Sequence, residues 1–281
     1  MLARSIMALR IVAVLAVAFA AGHVVQTLRP LPQETAAASA IDAPQPVLAE
    51  LPQLAGIVAV SATTTGDDPA CALGLRLENA PGAMIDLSLS APCNMGERVV
   101  FRHAGLAFTE TIGADGQVQV QLPAMTADAL VAAYVGSSEV VLGKISVPDM
   151  AEYLRLAVQI AGSARFDLRA DEQGQVFVAK SAGLEGAPHR ITTLGQARME
   201  DPLLSQVYSV ALRDFASPEL TVELGITPET CGRTLAAEVV VSRFGKALRS
   251  SRSVAVPLCG TSGDILLLKN LLPDLTLDAP E

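Results

Sequence analysis

Alternation with a period of two residues constrains this chain more than any other feature of its sequence. Leu73, Leu75 and Leu77 alternate with Gly74, Arg76 and Glu78, and Ile85, Leu87 and Leu89 alternate with Asp86, Ser88 and Ser90. The pattern returns in Val118, Val120 and Leu122 against Gln117, Gln119 and Gln121. Successive side chains of a strand point to opposite faces, so each run has one apolar and one wetted side, as in a half-exposed antiparallel sheet. No helical period competes with it. Turn-forming groups separate the runs at Ala80-Pro81-Gly82, Asn94-Met95-Gly96, Ala114-Asp115-Gly116 and Gly136-Ser137-Ser138. Short strands divided in this way predict a sandwich or a barrel.

Pro148-Asp149 divides the strand-rich region, and a second series begins with Leu154, Leu156, Val158 and Ile160 alternating with Arg155, Ala157 and Gln159. Further strands are predicted at Phe166 to Leu168, Val176 to Val178, Ile191 to Leu194, Val207 to Leu212, Leu220 to Ile226, Leu235 to Val241, Ser253 to Leu258 and Ile265 to Lys269. The stretch from Ser181 to Pro202, with its Gly, Pro and His189, reads as a surface excursion. The expected fold is therefore all-β, with two tandem β-sandwich-like domains of immunoglobulin or transthyretin-like type at 54–148, with roughly seven strands, and at 149–281. Hydrophobic residues make up 51% of the chain and aromatics only 4%, without Trp, so the core must be built from Val, Leu, Ile and Ala. Asp115-Gly116-Gln117-Val118 and Gln173-Gly174-Gln175-Val176 look alike, a likeness that either hairpin chemistry or an internal repeat would produce.

Ahead of these strands, Arg4 and Arg10 precede an apolar run from Ile11 to Val25. The uncharged interval between Arg10 and Arg29 holds 18 residues, a helix of roughly 27 Å that just spans a bilayer. Residues 1–29 are expected to be a signal-anchor or transmembrane helix; Ala18-Phe19-Ala20 offers a signal peptidase site, which leaves a cleaved signal peptide open. The positive-inside rule keeps the arginines in the cytoplasm and sends the bulk of the chain to the periplasm. Residues 30–53, with prolines at 30, 32, 44, 46 and 52, read as an extended linker. The expected location is the bacterial inner membrane, single-pass, with the C-terminal domains in the periplasm.

The four cysteines, Cys71, Cys93, Cys231 and Cys259, all follow the apolar segment and fall into two local pairs. In an oxidising compartment they are expected as disulfides, and nearest-neighbour pairing, Cys71 with Cys93 and Cys231 with Cys259, places one in each domain. No Cys-x-x-Cys occurs, so neither a redox motif nor a zinc knuckle is indicated.

A net charge of -9 and a pI near 4.9 give no basic face for nucleic acid, and few aromatics are present to stack on bases. Glycine-rich phosphate loops are absent, so no nucleotide partner is expected. A nucleophile elbow would need G-x-S-x-G, which neither Gly136-Ser137-Ser138 nor Gly260-Thr261-Ser262-Gly263 supplies. His103 follows Val99 and Phe101 at strand spacing and reads as a strand-end histidine bonded to backbone; His189 is read in the same way. Gly66-Asp67-Asp68-Pro69 and Asp115-Gly116 match no calcium loop and read as solvated turns. No catalytic, metal or cofactor residues are assigned. Surface features open to a polypeptide partner are Glu97-Arg98, the loop Gly183 to Arg190, and the apolar stretch Leu266 to Leu277 interrupted by Lys269-Asn270.

Three stretches carry a resemblance: Ser90-Ala91-Pro92-Cys93-Asn94-Met95-Gly96-Glu97-Arg98-Val99-Val100 onward to Thr109, Thr230-Cys231-Gly232-Arg233, and Leu267 to Leu275. They resemble alphaproteobacterial envelope proteins with one N-terminal span, to which automated naming often attaches the word translocase. The resemblance covers most of the chain beyond about residue 54 and implies a link to moving a substrate across the envelope. One span forms no channel, and no functional residue is carried over. The expected function is that of a membrane-tethered, non-catalytic binding or scaffold protein of the periplasm with an envelope protein as partner. The competing readings are an accessory subunit of a translocation or envelope-assembly machine, and an enzyme of unrecognised type.

Overall fold

Strands and short 3-10 turns make up the regular structure of the described residues. The structure is a computed structural model that describes residues 69–272, apart from 137–138, 161, 163, 182–189, 197–198, 200–201, 216 and 261–263. The N-terminal apolar segment, the linker, the Asp67-Asp68 turn, His189 and everything from Pro273 onward lie outside the described residues. Among the described residues no helix is long and apolar enough to cross a membrane.

The first half holds β1 (Gly74–Ala80), β2 (Met84–Ser90), β3 (Arg98–His103), β4 (Leu106–Thr111), β5 (Gln117–Pro123), β6 (Asp128–Val135) and β7 (Glu139–Ser146). They form two antiparallel sheets in the orders β1-β2-β5 and β4-β3-β6-β7. The alternating leucines and valines of both sheets meet in one core, with Leu77, Leu87 and Leu122 from one side and Val99, Phe101 and Val131 from the other. Each fully buried Leu or Val contributes about 2 kcal/mol of apolar transfer. The rings of Phe101 and Phe108 stack with centroids 5.2 Å apart.

The second half holds β8 (Tyr153–Ile160), β9 (Phe166–Glu172), β10 (Gln175–Val178), β11 (Lys180–Ser181), β12 (Ile191–Leu194), β13 (Ser205–Ala211), β14 (Glu219–Gly225), β15 (Thr234–Arg243), β16 (Lys246–Ala255) and β17 (Ile265–Leu268). One sheet runs β10-β9-β14-β17 and the other β11-β12-β13-β8-β15-β16, with all pairs antiparallel except β11 with β12. A second core lies between them, with Leu154, Leu156 and Val158 facing Leu168, Val222 and Leu224. All the described residues belong to one compact unit of the chain, Gln53–Glu281.

Two expectations from the sequence are corrected. Alternation in β8 predicted a wetted face carrying Arg155, Ala157 and Gln159; instead Arg155 and Ala157 are fully buried and Gln159 is half-buried. The reason is a third layer: Ala157, Leu194, Val207 and Val240 of the six-stranded sheet pack into the core of the first half, so the middle of that sheet is covered on both faces. The stretch from Ser181 to Pro202 is likewise not all surface, because β12 crosses it with Ile191 and Leu194 buried.

The resemblance between the Asp115-Gly116 and Gln173-Gly174 segments is confined to turn chemistry. The first lies in a connection between strands of different sheets, and the second closes a two-residue hairpin with Glu172 opposite Gln175.

The edge of β4 is closed by chain from the second half. Thr109 N–H donates to Leu203 O at 3.1 Å and Gln196 N–H to Thr109 O at 2.9 Å. Gly195 makes this close approach possible: its φ is +94°, and a Cβ there would overlap Leu203 O. Gly195→Ala is expected to lower stability by about 2 kcal/mol or more, read as a drop in the urea midpoint.

Candidate functional site

Among the described residues, buried polar side chains gather in a seam between the two halves, centred on Arg155. β8 lies inside its sheet, so the face carrying Arg155 meets the first half rather than solvent. Nη1 donates to Ala83 O at 2.8 Å and also to Ala124 O, Nη2 to Gly82 O at 2.6 Å, and Nε to Ser209 Oγ at 3.1 Å. The sulfurs of Met150 and Met84 lie 3.4 and 3.5 Å from the guanidinium nitrogens, and the Tyr153 ring lies 5.4 Å from its carbon. Backbone carbonyls hold this cation. Burial pulls its pKa down to about 9, partly offset by Tyr153, so it stays charged at neutral pH.

His103, at the end of β3, completes the same hub from the other side. Met125 N–H donates to Nε2 at 2.9 Å and Nδ1 lies 3.0 Å from Leu130 O, which assigns the ring proton to Nδ1. Ser242 Oγ donates to Met125 O at 2.6 Å, and Ala127 N–H donates to Gly245 O at 3.0 Å. The connection Ala124–Ala127 between β5 and β6 is thus gripped by both halves. Gly245 sits at φ +72° in the β15–β16 hairpin, and a Cβ on it would come within 2.9 Å of Ala127 Cβ.

The seam continues at Gln159. Its Oε1 accepts Ala107 N–H at 2.5 Å and its Nε2 donates to Gly105 O at 2.8 Å, while Ser205 Oγ lies 2.9 Å from Ala107 O. Away from the seam, Tyr208 OH donates to Glu172 Oε1 at 2.7 Å and Arg190 Nη2 to Glu172 Oε2 at 2.8 Å, with Arg190 5.4 Å over the Phe177 ring. Burial, and then the Glu172 carboxylate, raise the Tyr208 pKa, so this hydroxyl remains a donor that ties the β9–β10 hairpin to β13.

Burial, reinforced by the Arg155 cation, lowers the pKa of His103 from 6.5 to about 4, against the opposing contact with Leu130. The folded state therefore resists protonation over a pH range in which the unfolded chain binds a proton. Stability is complete above pH 6.5 and falls with pH toward 4, by about 3 kcal/mol in all. Urea midpoints measured across that range should slope accordingly, and the slope should flatten in His103→Asn.

These groups hold backbone to backbone. His103 Nε2, which would serve as a base, already receives Met125 N–H. Among the described residues no three His, Cys, Asp or Glu side chains converge as a metal site requires. The cysteines pair as the spacing suggested, with Cα atoms 5.2 Å apart in Cys71–Cys93 and 5.0 Å in Cys231–Cys259. Glu97 lies beside the first of these, its carboxylate receiving Asn94 Nδ2, which also reaches Glu139. Within the apolar stretch Leu266 to Leu277, β17 accounts for Ile265–Leu268, and Lys269 pairs with Glu219 at 2.6 Å.

No protein-family model matches this chain, and no curated protein matches it.

Sequence reasoning missed Arg155, Gln159 and Ser242, because a polar residue at every second position is the same signal whether water or another layer covers that face. One available signal was β13, where Ser205–Ala211 carries Val, Tyr and Val among small polar residues and is buried along its whole length.

Proposed function

We propose that this chain is a non-catalytic binding or scaffold protein of the bacterial envelope, held at the inner membrane by residues 1–29 and spaced from it by residues 30–53. In this reading 54–148 and 149–281 are immunoglobulin-like or transthyretin-like sandwiches in the periplasm. The strand orders β1-β2-β5 and β4-β3-β6-β7 around one core support the sandwich assignment for the first half. The observation that carries the reading is the pair of disulfides, one in each half. Bridges of this kind persist outside the cytoplasm and stabilise modules that present a fixed surface there.

Outer strands and exposed apolar side chains give such a module its contacts. Leu130, Tyr134, Val140 and Leu142 are exposed on β6 and β7, and Tyr134 is the cross-strand neighbour of Val140. Photo-crosslinking in intact cells from position 134 or from position 267 on β17, followed by identification of the captured protein, tests the reading. A reproducible envelope partner supports it, and capture of none from either position contradicts it. A complex that survives detergent extraction in fixed stoichiometry would favour the accessory-subunit alternative.

A further inference from the structure

The two sheets of the second half have unequal widths among the described residues, six strands against four. The narrower sheet stops at β17, and the wider one continues to β16. Register places Leu248, Ser250, Arg252 and Val254 of β16 opposite Val241, Val239, Ala237 and Leu235 of β15, and so on the side of the second core. Only Val254 is buried there; Leu248 is 78% exposed although it is an apolar residue on the core side of its sheet. A groove of about 530 Å³ follows, lined by Arg252, Val254, Leu266, Leu268 and Leu271. Beside it, Ile265 and Leu267 are 59% and 56% exposed on the outer strand β17.

We propose that this groove takes up an extended polypeptide strand of a partner protein whose inward face, every second residue, carries both apolar and acidic side chains. The inference rests on the binding-module reading and names the chemistry of the partner. A strand paired to the outer edge of β17 would extend the narrower sheet over the core side of β16, and its inward side chains would cover Leu248 and Val254. Charge specifies the rest. β16 carries Lys246, Arg249 and Arg252 and no carboxylate in ten residues, in a chain whose net charge is -9. Lys246 and Arg252 share the core side with Leu248. Arg249, on the opposite face, is engaged by Glu238 at 2.6 Å, whereas Arg252 forms no ion pair among the described residues and donates to Ser251 O, its chain neighbour. Inward cations on an outer strand also discourage sheet-to-sheet aggregation, and the experiment separates that role from recognition.

The probe is a fluorescein-labelled, end-blocked decapeptide whose odd positions carry aspartate and valine in turn and whose even positions are threonine, so that one face presents both, titrated against the purified full chain by fluorescence anisotropy. Saturable binding is expected. It should weaken about tenfold or more in the double variant Lys246→Glu, Arg252→Glu, and vanish when alternate peptide nitrogens are methylated or aspartate is replaced by lysine. Absence of saturable binding, or equal binding of the lysine peptide, would overturn the proposal and leave the cations as guards of an outer strand. Binding seen only after deletion of residues 273–281 would also overturn it, by assigning the groove to the chain's own end. In cells, capture of a partner from position 134 but never from 267 sinks the groove and leaves the binding reading standing; capture from neither removes both.

Discussion

Arg155→Met is expected to be the most damaging single substitution in the chain, lowering stability by about 4 kcal/mol. The side chain supplies donors to Gly82 O, Ala83 O and Ala124 O and to Ser209 Oγ, and methionine supplies none. A buried carbonyl deprived of its donor costs about 1–3 kcal/mol, and relief from desolvating the cation offsets part of the sum. Arg155→Lys keeps the charge but not the planar fork that reaches several acceptors at once. It should recover less than half of the loss. Urea denaturation followed by far-ultraviolet circular dichroism measures both. Because the hub joins the halves, Arg155→Met should also separate their unfolding into two transitions where the native chain shows one.

Loss of a disulfide is the second large effect. The bridges close loops with sequence separations of 22 and 28 residues. In the chain-entropy account each restrains the unfolded chain by about 3.5 kcal/mol. Paired Cys→Ser replacements at 71 and 93, or at 231 and 259, should lower the urea midpoint by comparable amounts. The two effects should add, since the bridges lie in separate halves and share no residues. The 231–259 pair fastens the turn Thr227–Arg233, where Cys231 N–H donates to Thr227 O at 2.9 Å, to the chain beyond β16, where Gly232 N–H donates to Pro257 O at 2.7 Å. Its removal should therefore accelerate amide exchange at Cys231 and Gly232 before the rest of the second half responds.

Most strands were legible in the sequence because burying a single face writes the period of two directly into the residues. β1, β2 and β5 show this in Leu75, Leu87 and Val120. The sequence pattern starts this strand at Ser253, whereas β16 begins at Lys246, because Lys246–Arg252 shows no apolar alternation to reveal it. An outer strand with its core side uncovered is under no pressure to produce one. The seam was illegible for the opposite reason. Arg155 and Gln159 sit where the period predicts water, and only the packing of the first half against β8 and β13 turns that face into an interior. Cysteine pairing followed from proximity in sequence, and His103 followed from its place at a strand end. What the sequence could not supply was the set of acceptors: Ala83, Ala124 and Leu130 act through their backbone carbonyls, and a carbonyl leaves no mark on residue identity.

If this strand-rich body works beyond the cytoplasm as a bridged binding module, as proposed, its cysteines are paired in the cell. The most direct measurement is the thiol state of protein from intact cells, alkylated before lysis and mapped by mass spectrometry under non-reducing conditions. Cys71 linked to Cys93 and Cys231 linked to Cys259, with no alkylated cysteine, is the expected result. Alkylation at all four positions would place the chain in a reducing compartment and contradict it.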